Sequence, residues 1–166
     1  MLALIQHDAR KLLSFHAVSQ VGYMVLGFGT GTSLGIAAGI FHMINNAIYK
    51  SGLFLTAGSV GEKRKTFELD RLGGLAAYMP VTFACGLVFA LSISGVPPFN
   101  GFASKWMLYQ GILLGLFNSG SALLRFIYIF SLIAAMFGSA LTLASFIKFI
   151  HAVFLGQESA QENKNT

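Results

Sequence analysis

One stretch restricts everything around it: Ile40 to Leu55, IFHMINNAIYKSGLFL, an apolar run of helix length that carries His42, Asn46 and Lys50. Residues at i, i+4 and i+8 fall along one face of a 3.6-residue helix, so the three make a polar stripe. A lysine near the centre of a bilayer costs about 2.5–3.5 kcal/mol on translocon scales, so intramembrane charges face a bundle interior or a hydrated path. Other segments of the chain must surround this helix.

Composition makes the surroundings a membrane. The 166 residues are 55% hydrophobic and only 10% charged, with a mean hydropathy of +0.69, whereas soluble domains are about 25% charged. Eleven Lys and Arg against six Asp and Glu give a net charge of +5. In a membrane protein such an excess belongs to cytoplasmic loops and not to a nucleic-acid partner. Cys85, the single cysteine, lies in an apolar run and is expected to be a small packing residue. Residues 1–11, MLALIQHDARK, place charges after a short apolar piece, the reverse of a cleavable signal peptide. Targeting is expected to come from the spans themselves.

The run Leu12 to Gly29 is just long enough at 1.5 Å per residue to cross a hydrocarbon core of about 30 Å. Its polar residues His16, Ser19, Gln20 and Tyr23 fall at i, i+3, i+4 and i+7, a single stripe that serves either as hydrogen-bonding glue between helices or as lining of a proton or water path. An uncharged turn at 30–33 leads to a second span from Leu34 to Ser59. Lys50 lies about nine residues, or about 14 Å, from the end of that span, a long reach for a snorkelling side chain. The stretch Gly61 to Gly74, GEKRKTFELDRLGG, reads as a solvated loop. Arg10 and Lys11 share its side of a two-span hairpin, so the positive-inside rule makes the N-terminus and the 61–74 loop cytoplasmic.

A third span starts near Tyr78 and meets Gly95-Val96-Pro97-Pro98-Phe99-Asn100-Gly101 before resuming at Ser104-Lys105-Trp106. Two prolines flanked by glycines break a helix, and non-helical backbone at membrane depth is tolerated only where it is buried in protein or lines a cavity. Ser104 is the expected N-cap of the second half, placing Lys105 in its first turn. A cation there opposes the helix dipole, which suits a lysine that exchanges its proton. The alternative is an ordinary extramembrane turn with Lys105 as an interfacial anchor. The fourth span, Ala122 to Leu155, would reach about 51 Å if wholly helical, so it must tilt, kink near Gly138 or project past the membrane. Arg125 starts it on the outer side, and Lys148 and His151 are expected to snorkel at its cytoplasmic end. The fold class is thus all-α integral membrane, about four transmembrane helices with the third discontinuous at Gly95 to Gly101. Residues 1–157 form the membrane domain and 158–166 a polar cytoplasmic tail, multi-pass in a prokaryotic plasma membrane.

The six acids, Asp8, Glu62, Glu68, Asp70, Glu158 and Glu162, all fall outside these spans. Lys50 and Lys105 therefore lack an intramembrane counter-ion from this chain, and buried charges are generally paired or neutralised. Either the lysines are held neutral or another polypeptide supplies the acid. The same absence argues against a small self-contained drug/proton exchanger.

Four stretches carry a resemblance: DARKLLSFHAVSQVGYM at 8–24, FHMINNAIYKSGLFLTAG at 41–58, LDRLGGL at 69–75 and GVPPFNGFASKW at 95–106. In that order and spacing they resemble the second half of the antiporter-like proton-translocating membrane subunits of respiratory complex I, of membrane-bound hydrogenases of the hydrogenase-4 and formate hydrogenlyase kind, and of Mrp Na+/H+ antiporters. HAVSQVGYM and SKWMLYQGI are more similar to the hydrogenase and Mrp-like branches. The resemblance implies that His42 and Lys50 relay protons laterally along a hydrated axis and that Lys105, at the helix break bounded by Pro97, Pro98 and Gly101, exchanges protons with the outer side. His16, Ser19, Gln20, Tyr23 and Asn46 are candidate path lining. Asn46 stands where many relatives carry a second histidine, and an amide cannot titrate. Complete relatives are built of two inverted five-helix repeats, of which this chain corresponds to the last four helices of the second; the missing carboxylate belongs to the first.

The expected function is proton or cation translocation within a redox-driven membrane complex, NADH:quinone oxidoreductase-like or hydrogenase-like. No redox chemistry is expected in this chain: one cysteine offers no ligand set for a cluster, and iron-sulphur, flavin, NiFe or quinone cofactors are assigned to partner subunits, with no metal site here. Two alternatives stand: a non-conducting structural or truncated subunit of such a complex, and an Mrp-type antiporter subunit without redox partners.

Overall fold

The computed structural model describes residues 3–157; the tail at 158–166 lies outside the described residues. The order is α1 (Ala9–Gly29), α2 (Ser33–Arg64), a 3-10 turn at Leu69–Arg71, α3 (Leu75–Tyr78), α4 (Pro80–Ser94), α5 (Asn100–Asn118), α6 (Ala122–Ile150) and a π turn at His151–Leu155.

Local chemistry explains the ends. Asp8 caps α1 by accepting from the backbone N–H groups of Arg10 and Lys11, and Thr32 caps α2 through Gly35 N–H, each satisfying donors that the first helical turn leaves free. Burial alone would raise the Asp8 pKa, but hydrogen bonds from the Arg10 side chain and from the backbone of Lys11 and Arg10 outweigh it and leave the pKa below its ordinary value. The cap is therefore present at neutral pH and lost as pH falls through the carboxylate range. α2 runs through Glu62, Lys63 and Arg64, beyond the expected end at Ser59 and into the expected loop. Its last carbonyls gain the cations Lys63 and Arg64 there, and Lys65 closes it at φ 55°. Pro80 opens α4 at a position that needs no N–H.

Side-chain neighbours set the packing. Leu13 of α1 meets Lys50 of α2, Gln20 meets His42, and Gly27 lies against Gly35 and Gly39; rising numbers meet falling ones, so the helices are antiparallel. Along the other side of α2, Gly35 faces Gly111, His42 faces Ser104, Asn45 faces Asn100, Gly52 faces Phe89 and Thr56 faces Gly86. α5 and then α4 thus line α2 in succession. α6 and the π turn that follows it close the bundle, with Tyr128 on the Thr30 carbonyl, Ser139 on Tyr23 and Tyr109, Phe146 on His16, and, from the π turn, Phe154 on Phe83.

Two apolar clusters result. One gathers Leu12, Leu13, Tyr49, Leu53, Ile93, Phe146 and Phe149; the other gathers Tyr23, Ala38, Leu108, Ile112 and Ala135. Between them in every long helix lie buried polar residues: His16 and Gln20 in α1, His42 and Asn45 in α2, Ser104 and Lys105 in α5, Thr142 and Ser145 in α6. The outside is the reverse, with Leu55 72% and Phe130 66% exposed. A protein that hides lysines and shows phenylalanines to its surroundings is built for lipid or for other apolar helices. By length and composition alone, α1 and the 122–155 helix each suffice to cross a membrane; in α2 the buried His, Asn and Lys dilute the hydropathy.

Several local expectations are corrected. Ser104 does not cap α5, which begins at Asn100 immediately after the prolines, so Lys105 sits in the second turn. α6 is unbroken at Gly138 and widens only at the π turn. Lys148, expected to snorkel at this end, donates from Nζ to the Leu4 and Gln6 carbonyls of the N-terminal segment at 2.8 and 3.1 Å. Cys85 is exposed, so it packs nothing inside the bundle. The N-terminal segment is stitched to the 67–71 stretch, with Ala9 N–H on the Phe67 carbonyl at 2.9 Å, Leu69 N–H on the His7 carbonyl at 2.7 Å, and Arg10 stacked 4.0 Å over the Phe67 ring.

A Cβ on Gly27 would come within 2.8 Å of the Gly35 carbonyl oxygen and 2.9 Å of Gly39 Cα, whereas one on Gly22 would meet nothing within 4 Å. Gly27→Leu should therefore push α1 from α2 at a cost of about 1–3 kcal/mol. Thermal melting of the detergent-purified protein checks this: Gly27→Leu lowers the midpoint by several degrees, and Gly22→Leu leaves it in place.

Candidate functional site

The polar layer centres on His42, 1% exposed. Its Nε2 lies 3.0 Å from Gln20 Oε1 and its Nδ1 lies 2.9 Å from Ser104 Oγ, so one ring joins α1 to α5 through α2. Gln20 Oε1 also accepts from the Tyr49 hydroxyl at 3.4 Å; with the amide in that orientation His42 Nε2–H donates to it. Ser104 Oγ is also 3.1 Å from the Gly101 carbonyl. With His42 neutral, the serine hydroxyl donates to Nδ1. With His42 protonated on both nitrogens, the serine accepts and turns its own proton to Gly101. Both charge states of the ring are hydrogen-bonded without moving a heavy atom.

Lys105 lies one residue further along α5 and is 3% exposed. Its Nζ donates to the Ile93 and Ser94 carbonyls at 3.0 and 3.1 Å and sits 5.2 Å from the centre of the Tyr23 ring. These carbonyls are the free C-terminal acceptors of α4, where a cation is favoured by about 0.3–1 kcal/mol, and by up to about 2 kcal/mol when partly buried. The electrostatics are thus the opposite of the sequence expectation: Lys105 completes the end of one helix and does not oppose the start of its own. Gly95 makes this possible. At φ 79° its N–H returns to the Leu91 and Ser92 carbonyls, and a Cβ there would lie 2.9 Å from Lys105 Cδ. Only glycine accepts both the left-handed backbone and the lysine stem.

Lys50, 8% exposed, donates to the Leu13 carbonyl of α1 and lies 5.7 Å from the Phe54 ring centre. Neither buried lysine meets a carboxylate among the described residues. The acids that do pair there, Asp8, Glu68 and Asp70, do so with Arg10, Arg71 and His7 at the charged end of the bundle.

The predicted stripes divide. On α1, His16, Gln20 and Tyr23 are buried while Ser19 is exposed and bonds back to the His16 carbonyl at 3.0 Å. Tyr23 donates to the Ala135 carbonyl at 2.6 Å and meets Ser139 Oγ at 3.0 Å. On α2, Asn46 is half-buried and its Oδ1 has no partner among the described residues. Its neighbour Asn45, which the spacing argument passed over, is buried and exchanges hydrogen bonds with Asn100, at 3.2 Å to the carbonyl and 2.9 Å from the side chain. That pair fastens α2 to the first residue of α5. Pro97 and Pro98 fall between α4 and α5, and Gly101 lies in the first turn of α5, its Cα against the Ser92 carbonyl. Asn45 was legible only as an amide beside an amide; which of the two turned inward depended on the roll of α2.

Comparison with known proteins shows the family and the fold. Residues 1–142 match the family described as NADH:quinone oxidoreductase/Mrp antiporter, TM. The chain is 31% identical to formate hydrogenlyase subunit 3 of Escherichia coli over 99% of its own length and 29% of that protein's. It superposes with a TM-score of 0.82 and 33% identity on a chain of the Mrp complex from Dietzia sp. DQ12-45-1b, covering 95% of itself and 27% of that chain. The corresponding values for the membrane-bound sulfane sulfur reductase, an archaeal respiratory membrane complex, are 0.79 and 37%, with 98% and 25% covered. The chain therefore spans less than a third of the length of these relatives. An inward-facing layer of lysine, histidine and amide in an outward-apolar helical bundle, together with these matches, makes this chain a member of the NADH:quinone oxidoreductase/Mrp antiporter membrane family.

Proposed function

We propose that this chain moves protons as part of a larger membrane complex, and that Lys50, His42 and Lys105 are the groups that carry them. The observation that supports this most directly is the buried polar layer: His42 hydrogen-bonded to Gln20 and Ser104, with Lys105 next to Ser104 in α5 and Lys50 two turns along α2 from His42, all of them buried. In this reading α1, α2, the pair α4–α5 and α6 are four membrane crossings, the third discontinuous at 95–99. The succession of α5 and α4 along α2 supports that count. The N-terminus, the 61–74 stretch and the end of α6 then lie on the cytoplasmic side of a prokaryotic plasma membrane, in accord with their basic charge.

A proton entering the layer is passed by His42, which hydrogen-bonds in both charge states, and by the lysines, whose amines donate to carbonyls they can leave and regain. Lys105 is the exit group in this reading, held at the break in the helix by the Ile93 and Ser94 carbonyls that the break leaves without intrahelical partners. A carboxylate to set against Lys50 and Lys105 comes from another polypeptide or from a further part of the same one. Redox cofactors, where the complex is redox-driven, belong to partner subunits. The likeness to formate hydrogenlyase subunit 3 and to the sulfane sulfur reductase favours a redox-driven complex, and that to the Mrp complex favours an antiporter without redox subunits. Co-purification with hydrogenase or quinone-reductase subunits selects the first; their absence from an intact complex selects the second.

Three substitutions test the relay in membrane vesicles, with proton flux read by a pH-sensitive dye and assembly by native gel. Lys105→Ala should reduce flux by about a hundredfold or more, the scale of a positioned proton-transfer group, with assembly retained; normal flux defeats the conducting role and leaves a structural one. Gly95→Ala should lower stability by about 1–3 kcal/mol through the left-handed backbone and reduce flux by displacing Lys105. Ser104→Ala should reduce flux less than Lys105→Ala, because one ring partner of His42 remains in Gln20.

A further inference from the structure

The Tyr23 ring of α1 neighbours both His42 and Lys105. Its centre lies 5.5 Å from that of the imidazole, and the Lys105 Nζ sits over its face at 5.2 Å. An ammonium has three N–H bonds. Two carbonyls, of Ile93 and Ser94, accept from Lys105, and it meets no carboxylate among the described residues. The negative face of an aromatic ring attracts a cation within about 6 Å, most strongly where water is excluded, and Tyr23 is buried. Its hydroxyl holds that face in place. Tyr23 donates to the Ala135 carbonyl at 2.6 Å, so Ser139, 3.0 Å away, donates to the Tyr23 oxygen, and Tyr109 in turn donates to Ser139 at 2.8 Å. Each hydroxyl uses its one proton. Tyr109 lies one turn after Lys105, so this row of bonds ties the ring to α6 and to the lysine's own helix. Lys50 offers a contrast: the ring 5.7 Å from it belongs to Phe54, one turn away on the same helix and exposed. Helix spacing alone accounts for that neighbour, whereas Tyr23 is brought to Lys105 by packing between helices.

We propose that Tyr23 is a positioning residue for charge transfer, its ring face standing in for the counter-ion that Lys105 lacks. Because the same ring adjoins His42, it favours a positive charge at either end of a step between the two. The inference rests on the proton-conducting reading above and assigns Tyr23 a task beyond lining the path. In the step a proton leaves one nitrogen and is gained by the other, and no bond to Tyr23 is made or broken.

The test uses membrane vesicles from cells making the complete complex from its own genes, with position 23 filled by phenylalanine or by its mono-, di- and trifluorinated forms. These rings keep nearly the same shape, while each fluorine withdraws negative charge from the face. Tyr23→Phe, which loses the hydroxyl and keeps the face, is the reference. Proton flux should fall stepwise along the series, to about a tenth of the reference in the trifluorinated ring, with assembly retained on a native gel. Equal flux in all four overturns the proposal, because a residue that only fills space or anchors α1 to α6 does not respond to ring charge. If Tyr23→Phe does not assemble, mono- and difluorinated tyrosine are compared with tyrosine, with the same two outcomes. Thermal melting of the detergent-purified complex reads the contact without transport. Fluorination should lower the midpoint when residue 105 is lysine and leave it in place in Lys105→Met; an equal change in both backgrounds, or none in either, overturns the contact. Normal flux in Lys105→Ala defeats the conducting reading, whereas a level fluorinated series with Lys105→Ala inactive defeats only the role of Tyr23.

Discussion

The contact on which the site depends is that of the Lys105 amine with the last carbonyls of α4. A helix that stops within an apolar layer leaves acceptors that lipid cannot satisfy, and a lysine buried there leaves donors with the same difficulty. Each removes the other's penalty. Gly95 turns the chain into the left-handed region so that the ends can approach, and the two prolines keep the gap from closing into a continuous helix. The broken backbone is thus what creates the place for the charge.

Around this contact the bundle is layered. Apolar clusters above and below hold the four long elements together, and a polar stratum crosses the middle of each. Small residues allow that stratum to close. Gly27 on Gly35 and Gly39, and Gly111 on Gly35, bring backbones near enough for His42 to reach both Gln20 and Ser104. In a medium with no hydrophobic drive between helices, such close packing supplies much of the association. In the proposed reading the same stratum is the part that moves charge, so packing and function would share residues that cannot be changed independently.

The two buried lysines have no carboxylate among the described residues, and the outside is apolar over most of the long helices. In the proposed reading another polypeptide, or a further part of the same one, answers both. The matches cover most of this chain and less than a third of the relatives.

Much was legible before any fold. Composition made the chain a membrane protein; the 3.6-residue period put His42 and Lys50 on one face, and Pro97-Pro98 marked the break. These follow from the sequence because they depend on local sterics and on burial by type. The tertiary structure decided what periodicity cannot see. It chose Asn45 over Asn46 by a small roll of α2. It started α5 at Asn100, which turned Lys105 from a residue opposing its own helix into the cation at the end of α4. It tied Lys148 to the N-terminal segment, and it set the His16 ring against Phe146 with neither ring nitrogen hydrogen-bonded among the described residues. Each of these depends on which helix end or carbonyl lies nearby in space, and that proximity is set by packing between segments far apart in the chain.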